Sequence, residues 1–138
     1  ATAVVLDTNV VLDWLVFKDA RAGQLAAALA AGGVRWVTCR RMRDELQRTL
    51  AYPALAKWNP DSEHVLTIFD QQSRAQPDPP AAPLDLRCSD RDYQVFLDLA
   101  LASGARWLLT HDRALLKLAR RAARSGLQIQ PPGRWAGP

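Results

Sequence analysis

The chain has 138 residues, a length that suits one domain with a core of its own. Hydrophobic residues make up 49% and charged residues 23%, the balance of a folded globule, and no apolar stretch approaches the roughly 20 residues of a membrane span. Lys and Arg number 18 against 14 Asp and Glu, which gives a net charge of +4, a pI near 9.6 and a modest bias toward anionic partners.

No basic-then-apolar secretory leader is visible. Cys39 and Cys88 lie far apart and no CxxC spacing exists, so a disulfide framework and a structural zinc site are not expected. They read as reduced thiols of a cytoplasmic protein.

In chain order, Val4 to Leu6 reads as a short buried strand, apolar and β-branched, closed by the polar cluster Asp7-Thr8-Asn9. From Asp7 the pattern turns helical, with Val10, Val11, Trp14 and Leu15 on the same stripe. Asp19 can cap a second helix over 19–33, ended by Gly32 and Gly33. A second strand is expected over 34–38 and a third helix over 40–53, stopped at Pro53. A fourth helix is expected over 59–76, with Asn59 as cap and Pro60 in its first turn. Residues 77–86 hold four prolines and must form a loop. A fifth helix over 89–105, a strand over 106–110, a sixth helix over 111–126 and a strand over 127–130 complete the pattern. There is no internal repeat and no domain linker, so residues 1–138 read as a single domain. Strands joined by helical crossovers predict an α/β fold, a three-layer α/β/α arrangement around a mostly parallel sheet of four or five strands.

In such a sheet, sites form at the carboxyl ends of the strands. Asp7 follows the first strand there. Asp112 follows the 106–110 strand in the same way. Glu45 shares the apolar stripe of Met42, Leu46 and Leu50, while Asp44 turns to water with Arg40, Arg41 and Arg48. Asp92 opens the stripe of Val95, Phe96, Leu99 and Ala100, and Asp90 is the natural cap of that helix. Taken singly, Asp7, Asp92 and Asp112 read as N-caps or favourable charges at a helix start, and Glu45 as a stripe-edge acid that snorkels or pairs with a neighbouring Arg. Taken together, the four can meet on one rim, where their mutual repulsion calls for a divalent cation. Oxygen ligands without a His or Cys set point to Mg2+ or Mn2+. Such an ion suits phosphodiester cleavage by metal-activated water. Thr8, Asn9 and Thr110 are small polar neighbours able to orient carboxylates.

Arg113, Lys117, Arg120, Arg121 and Arg124 fall on one face of the sixth helix. They offer an RNA-backbone track, to which Arg40, Arg41 and Arg43 near Glu45 add. The alternative is a solvated face. His111 is able to ligate a metal or shuttle protons but reads first as a variable position within Thr-His-Asp, and His64 reads as bland. Trp14 and Trp107 belong to the core by periodicity, whereas Trp58 and Trp135 are the candidates for exposure.

The ordered set "VVLDTNVVLDWL", an inward Glu on the third helix, "CSDRDYQVFLDLALASGARWLLTHDRALL" and "GLQIQPPGRW" resembles the PIN-domain nucleases over essentially the whole chain. The nearest subgroup is the bacterial VapC-like toxin of toxin–antitoxin pairs. The resemblance implies a PIN-like fold and metal-dependent cleavage of single-stranded RNA. It also implies Asp7, Glu45, Asp92 and Asp112 as ligands of Mg2+ or Mn2+, with Asn9 and Thr110 in support. A cognate antitoxin is an implied partner, and a second copy of the chain is another. The subgroup's "DPDDNKF" is "DRDYQVF" here. Tyr93 replaces one acid of the usual pair, so Asp92 must serve, with Asp90 able to help through water. That departure motivates a second reading, a catalytically weakened PIN-fold module that binds RNA or protein. A phosphatase-like use of Asp7 as nucleophile fits less well, because the acid it wants two residues on is Asn9.

Overall fold

The computed structural model describes residues 2–138. These residues form a five-stranded sheet, all parallel, in the order β3-β2-β1-β4-β5. The strands are β1 (Thr2–Leu6), β2 (Val34–Cys39), β3 (Ser73–Gln76), β4 (Trp107–Leu109) and β5 (Gln128–Gln130). The longer helices are α1 (Thr8–Leu15), α2 (Gly23–Ala30), α3 (Arg40–Leu50), α4 (Ser62–Gln72) and α5 (Gln94–Ala102). Two short ones follow, α6 (Arg113–Leu116) and α7 (Ala119–Ala123). The chain winds from β1 outward to β3, then returns to β4 and winds outward to β5 on the other side. Right-handed crossovers therefore place helices on both faces, giving the expected three layers. The winding reverses between β1 and β4, and a crevice opens at the carboxyl ends of those two strands.

The strands β1 and β4 are largely apolar runs because both of their faces are covered. Val4, Val5, Leu108 and Leu109 have no exposed surface, and Trp36 is buried with Phe69 and Trp14 edge-on against it at 5.2 and 5.6 Å. Cys39 and Cys88 are buried free thiols. Among the described residues, no helix is long and apolar enough to cross a membrane.

Several expectations need correction. The fourth helix stops at Gln72, and residues 73–76 are the edge strand β3. Ser73 causes the switch: its hydroxyl bonds back to the Phe69 carbonyl at 2.6 Å and meets the Thr38 hydroxyl of β2 at 2.9 Å. Asn59 does not cap α4. It sits in the left-handed region at φ 44°, closing a 3-10 turn over Pro53–Trp58, and Asp61 is the cap, accepting from His64 N at 3.0 Å. The third helix accordingly ends at Leu50, before that turn. The sixth helix is broken, because Leu118 N turns to Leu115 O at 2.9 Å and the chain tightens between α6 and α7. Trp135 is buried, edge-on to Trp107 at 5.5 Å, while Trp58 is indeed half-exposed. Trp14 is only partly buried, at the margin of the core.

The proline segment is a loop, pinned by a residue the sequence reading passed over. Asp98 is buried on α5 and accepts from Ala82 N at 2.9 Å and from Gln94 Nε2 at 2.8 Å. Gln94 also reaches Leu86 O and Cys88 N, so one turn of α5 holds the approach to Asp90 and Asp92.

Candidate functional site

Asp7 follows the buried run of β1 and caps α1, its Oδ1 accepting from Val10 N at 2.9 Å. The side chain is wholly buried beneath the switch crevice. Its Oδ2 accepts the hydroxyl proton of Thr110, the buried residue that follows β4. The same Thr110 oxygen accepts from Asp112 N at 2.9 Å, and Asp112 caps α6 through Leu115 N at 2.9 Å. Thr110 therefore ties Asp7 and Asp112 to one anchor. Each acid is a helix cap; Asp7 has no exposed surface and both of its oxygens engaged, whereas Asp112 is partly exposed. Burial pushes the Asp7 carboxyl up from 3.8 to about 6. The Thr110 and Val10 hydrogen bonds and His111 oppose the rise, and the Asp112 charge adds to it.

A second set of acids stands on α3 and on the turn before α5. Glu45 is half-buried on α3, and its Oε2 receives Arg48 Nη2 at 3.1 Å. Asp90 caps the single turn Arg91–Tyr93, accepting from Asp92 N at 3.0 Å. Glu45, Asp90 and Asp92 line a groove of about 380 Å3 with Thr8, Asn9, Thr49 and Tyr93. Leu12, Phe17, Leu55, Phe96 and the half-exposed Tyr52 supply its apolar lining. Glu45 and Asp92 also wall a smaller cleft of about 190 Å3, shared with Arg41, Asp44, Arg48 and Arg91.

The acids thus stand in two groups, Asp7 with Asp112 and Glu45 with Asp90 and Asp92. Among the described residues, no three His, Cys, Asp or Glu are close enough together to hold a metal as they stand. Tyr93 lines the same groove as Glu45, Asp90 and Asp92. Its hydroxyl accepts from Asn9 Nδ2 at 3.5 Å, and its ring packs tilted against Phe96 at 6.3 Å between centroids. Burial raises the phenol pKa, the Asn9 bond lowers it, and the charges of Asp112, Asp7 and Asp90 raise it again.

The basic residues fall differently from expectation. Arg43 does not border Glu45; it makes a two-pronged pair with Asp70 of α4 at 2.8 and 2.9 Å. Arg40 reaches Asp44 only at 3.8 Å and lines a separate pocket with Arg43. The cations beside the acids are Arg41, Arg48 and Arg91. Helical spacing held the signal for two of them, since Arg41 and Arg48 stand four before and three after Glu45. Arg113, Lys117, Arg120, Arg121 and Arg124 are all exposed, but the break between α6 and α7 divides their face, and Arg121 is drawn to the Asp85 carbonyl at 3.4 Å. His111 is more than a variable position. Its Nε2 meets Asp13 Oδ2 of α1 at 2.8 Å, tying the segment after β4 to α1. The sequence reading did not single out Asp13, and its one-carboxylate pairing with a distant His leaves no local pattern to find.

The chemistry of the donor set fits a hard divalent cation: the acids offer oxygen alone, and Asp7 carries its charge on two neutral donors in a buried site.

A PIN domain model matches residues 3–114 of the chain. No curated protein matches it. The crystal structure of VapBC2 from Rickettsia felis, bound to a DNA fragment from its promoter, is similar in fold, with a TM-score of 0.61 and 14% identity over 94% of this chain and 98% of that one.

Proposed function

The chain belongs to the PIN-domain family, and from that premise we propose that it is a nuclease that cleaves single-stranded RNA with Mg2+ or Mn2+, as the toxin of a toxin–antitoxin pair. The observation that carries this reading is the Asp7–Thr110–Asp112 anchor at the switch crevice, with a buried carboxylate whose pKa is raised to about 6. Asp7, Glu45, Asp92 and Asp112 would hold the cation, and Asp90 would steady Asp92. When bound, the cation supplies positive charge to the phosphodiester and lowers the pKa of a water. The reaction adds water across one P–O ester bond, the hydroxyl going to phosphorus and the proton to the departing oxygen.

The protein's own residues prepare that step. Val10 N and Thr110 fix the Asp7 carboxylate against rotation. Thr8 and Asn9 line the groove beside the acids. Arg48 neutralises Glu45 and must give way when Glu45 takes a ligand. Arg113, Lys117, Arg120, Arg121 and Arg124 offer the RNA backbone an exposed basic surface. The fold shared with the VapBC2 structure supports an antitoxin as the partner. The exposed Tyr52 and Trp58, with Phe17 edge-on to Trp58 at 4.8 Å, are where an apolar segment of that partner would rest. The setting is the cytoplasm.

One observation favours a second reading: Tyr93 stands amid the acids in place of an expected carboxylate. A module that binds RNA or protein without cutting would account for that. The test is cleavage of an unstructured RNA with Mn2+ and with EDTA, by the wild type and by Asp7→Asn. Mn2+-dependent cutting lost in Asp7→Asn supports the nuclease. RNA binding indifferent to metal, with no cutting, supports the module.

A further inference from the structure

Tyr93 has no task in the cleavage scheme above, yet it is built into the place where that scheme puts the substrate. It ends the turn that Asp90 caps, its backbone N bonding to Asp90 O at 3.2 Å. The ring is half-buried against Phe96, so the side chain is held by packing. The hydroxyl reaches the groove that Glu45, Asp90 and Asp92 line, and it accepts from Asn9 Nδ2. The charges of Asp112, Asp7 and Asp90 bear on it. Asn9 occupies an oxygen lone pair and leaves the phenolic proton free to be given.

A carboxylate here would add another negative charge to a site that already gathers five acids and must receive an anionic phosphodiester. A neutral phenol adds none. It offers one O–H donor, and the non-bridging oxygens of a phosphodiester are acceptors. The developing charge in the transition state sits on those oxygens, so a fixed donor aimed at them is worth more there than in the ground state. We propose that Tyr93 is a catalytic residue whose hydroxyl donates a hydrogen bond to a non-bridging oxygen of the RNA phosphodiester being cleaved. This assignment rests on the ribonuclease reading and deepens it. It makes the loss of an acid at this position a change of tool, from ligand to donor.

Tyr93→Phe tests it, because the ring stays on Phe96 and only the donor goes. Cleavage of a defined single-stranded RNA with Mn2+ is measured for the wild type, Tyr93→Phe and Tyr93→Asp. Mn2+ affinity by calorimetry and the thermal midpoint are measured alongside. The expected result is a fall in kcat of about 10- to 100-fold in Tyr93→Phe, with KM within about twofold of the wild type; the donor is half-exposed, so the loss lies below that of a buried oxyanion donor. Mn2+ affinity and the midpoint stay unchanged, since the phenol is no ligand. Tyr93→Asp is no more active than Tyr93→Phe. The assignment is overturned by a Tyr93→Phe enzyme that cuts within twofold of the wild type, by a weakened Mn2+ affinity in that variant, or by a Tyr93→Asp enzyme faster than the wild type. A wild type that cuts no RNA overturns the ribonuclease reading and this assignment together. A cutting wild type matched by Tyr93→Phe overturns this assignment alone.

Discussion

Replacing Asp7 by Asn should make the metal-free protein more stable, and more so at neutral than at acid pH. The carboxyl is wholly buried and its pKa rises from 3.8 to about 6. The folded state therefore keeps a proton that the unfolded chain releases between about pH 4 and 6, and stability falls as pH rises through that window. Above pH 6 the ionised group costs the fold about 3 kcal/mol. Asn is isosteric and neutral. Its carbonyl can accept from Val10 N, and its amide can give a hydrogen bond to Thr110, whose oxygen already accepts from Asp112 N. Allowing for imperfect amide geometry, the gain at pH 7.5 is about 2 kcal/mol, or roughly 5 to 10 °C in the midpoint. At pH 4.5 most of that gain disappears, because Asp7 is then protonated in the fold. Circular-dichroism melts of both proteins in EDTA at the two pH values measure this directly. A gain equal at both pH values, or a loss at pH 7.5, would refute the claim that burial strains this carboxylate.

Other outcomes follow from the same geometry. Arg48→Ala removes the guanidinium that holds Glu45 and should tighten Mn2+ binding by up to about fivefold in calorimetry, the worth of an exposed pair. An unchanged or weaker affinity would separate Glu45 from the metal. Asp98→Ala leaves Ala82 N buried without its acceptor and should cost about 2 to 3 kcal/mol in urea unfolding. A change below half a kcal/mol would mean the loop does not need that bond. Trp135→Ala should cost about 3 to 5 kcal/mol, since the ring is buried against Trp107. A near-neutral result would free the tail from the core.

How much of this could be read in the sequence depended on whether local pattern or distant contact decides each residue. The strands β1 and β4 are apolar runs bounded by polar residues, and β2 is rich in β-branched and aromatic residues, so their composition alone marks them. Asp7 and Asp112 stand out because each follows such a run. β3 was hidden because an edge strand with a single neighbour can be polar, and Ser-Arg-Ala-Gln continues a helix as readily as it starts a strand. What decides is the pairing of Ser73 with Thr38, 35 residues away. Trp135 was misjudged for the same reason, since its burial depends on Trp107 rather than on its proline-rich surroundings. Arg43 and Arg48 show the limit within one helix. Both stand within three residues of Glu45, but Asp70 on α4 captures Arg43 and leaves Arg48 to the acid. The oxygen-rich rim was therefore legible. The meeting of Tyr93 with Asn9 in the groove that Glu45, Asp90 and Asp92 line depends on how α1, α3 and the turn before α5 come together, which no local pattern carries.

Anomalous diffraction from a crystal soaked in Mn2+ asks most plainly whether these separated carboxylates serve one ion. The account predicts a peak at the switch crevice, bonded to Asp7 and Asp112, with Glu45 and Asp92 drawn in and Arg48 released. A peak elsewhere, with Asp7 still bonded only to Val10 and Thr110, would contradict it.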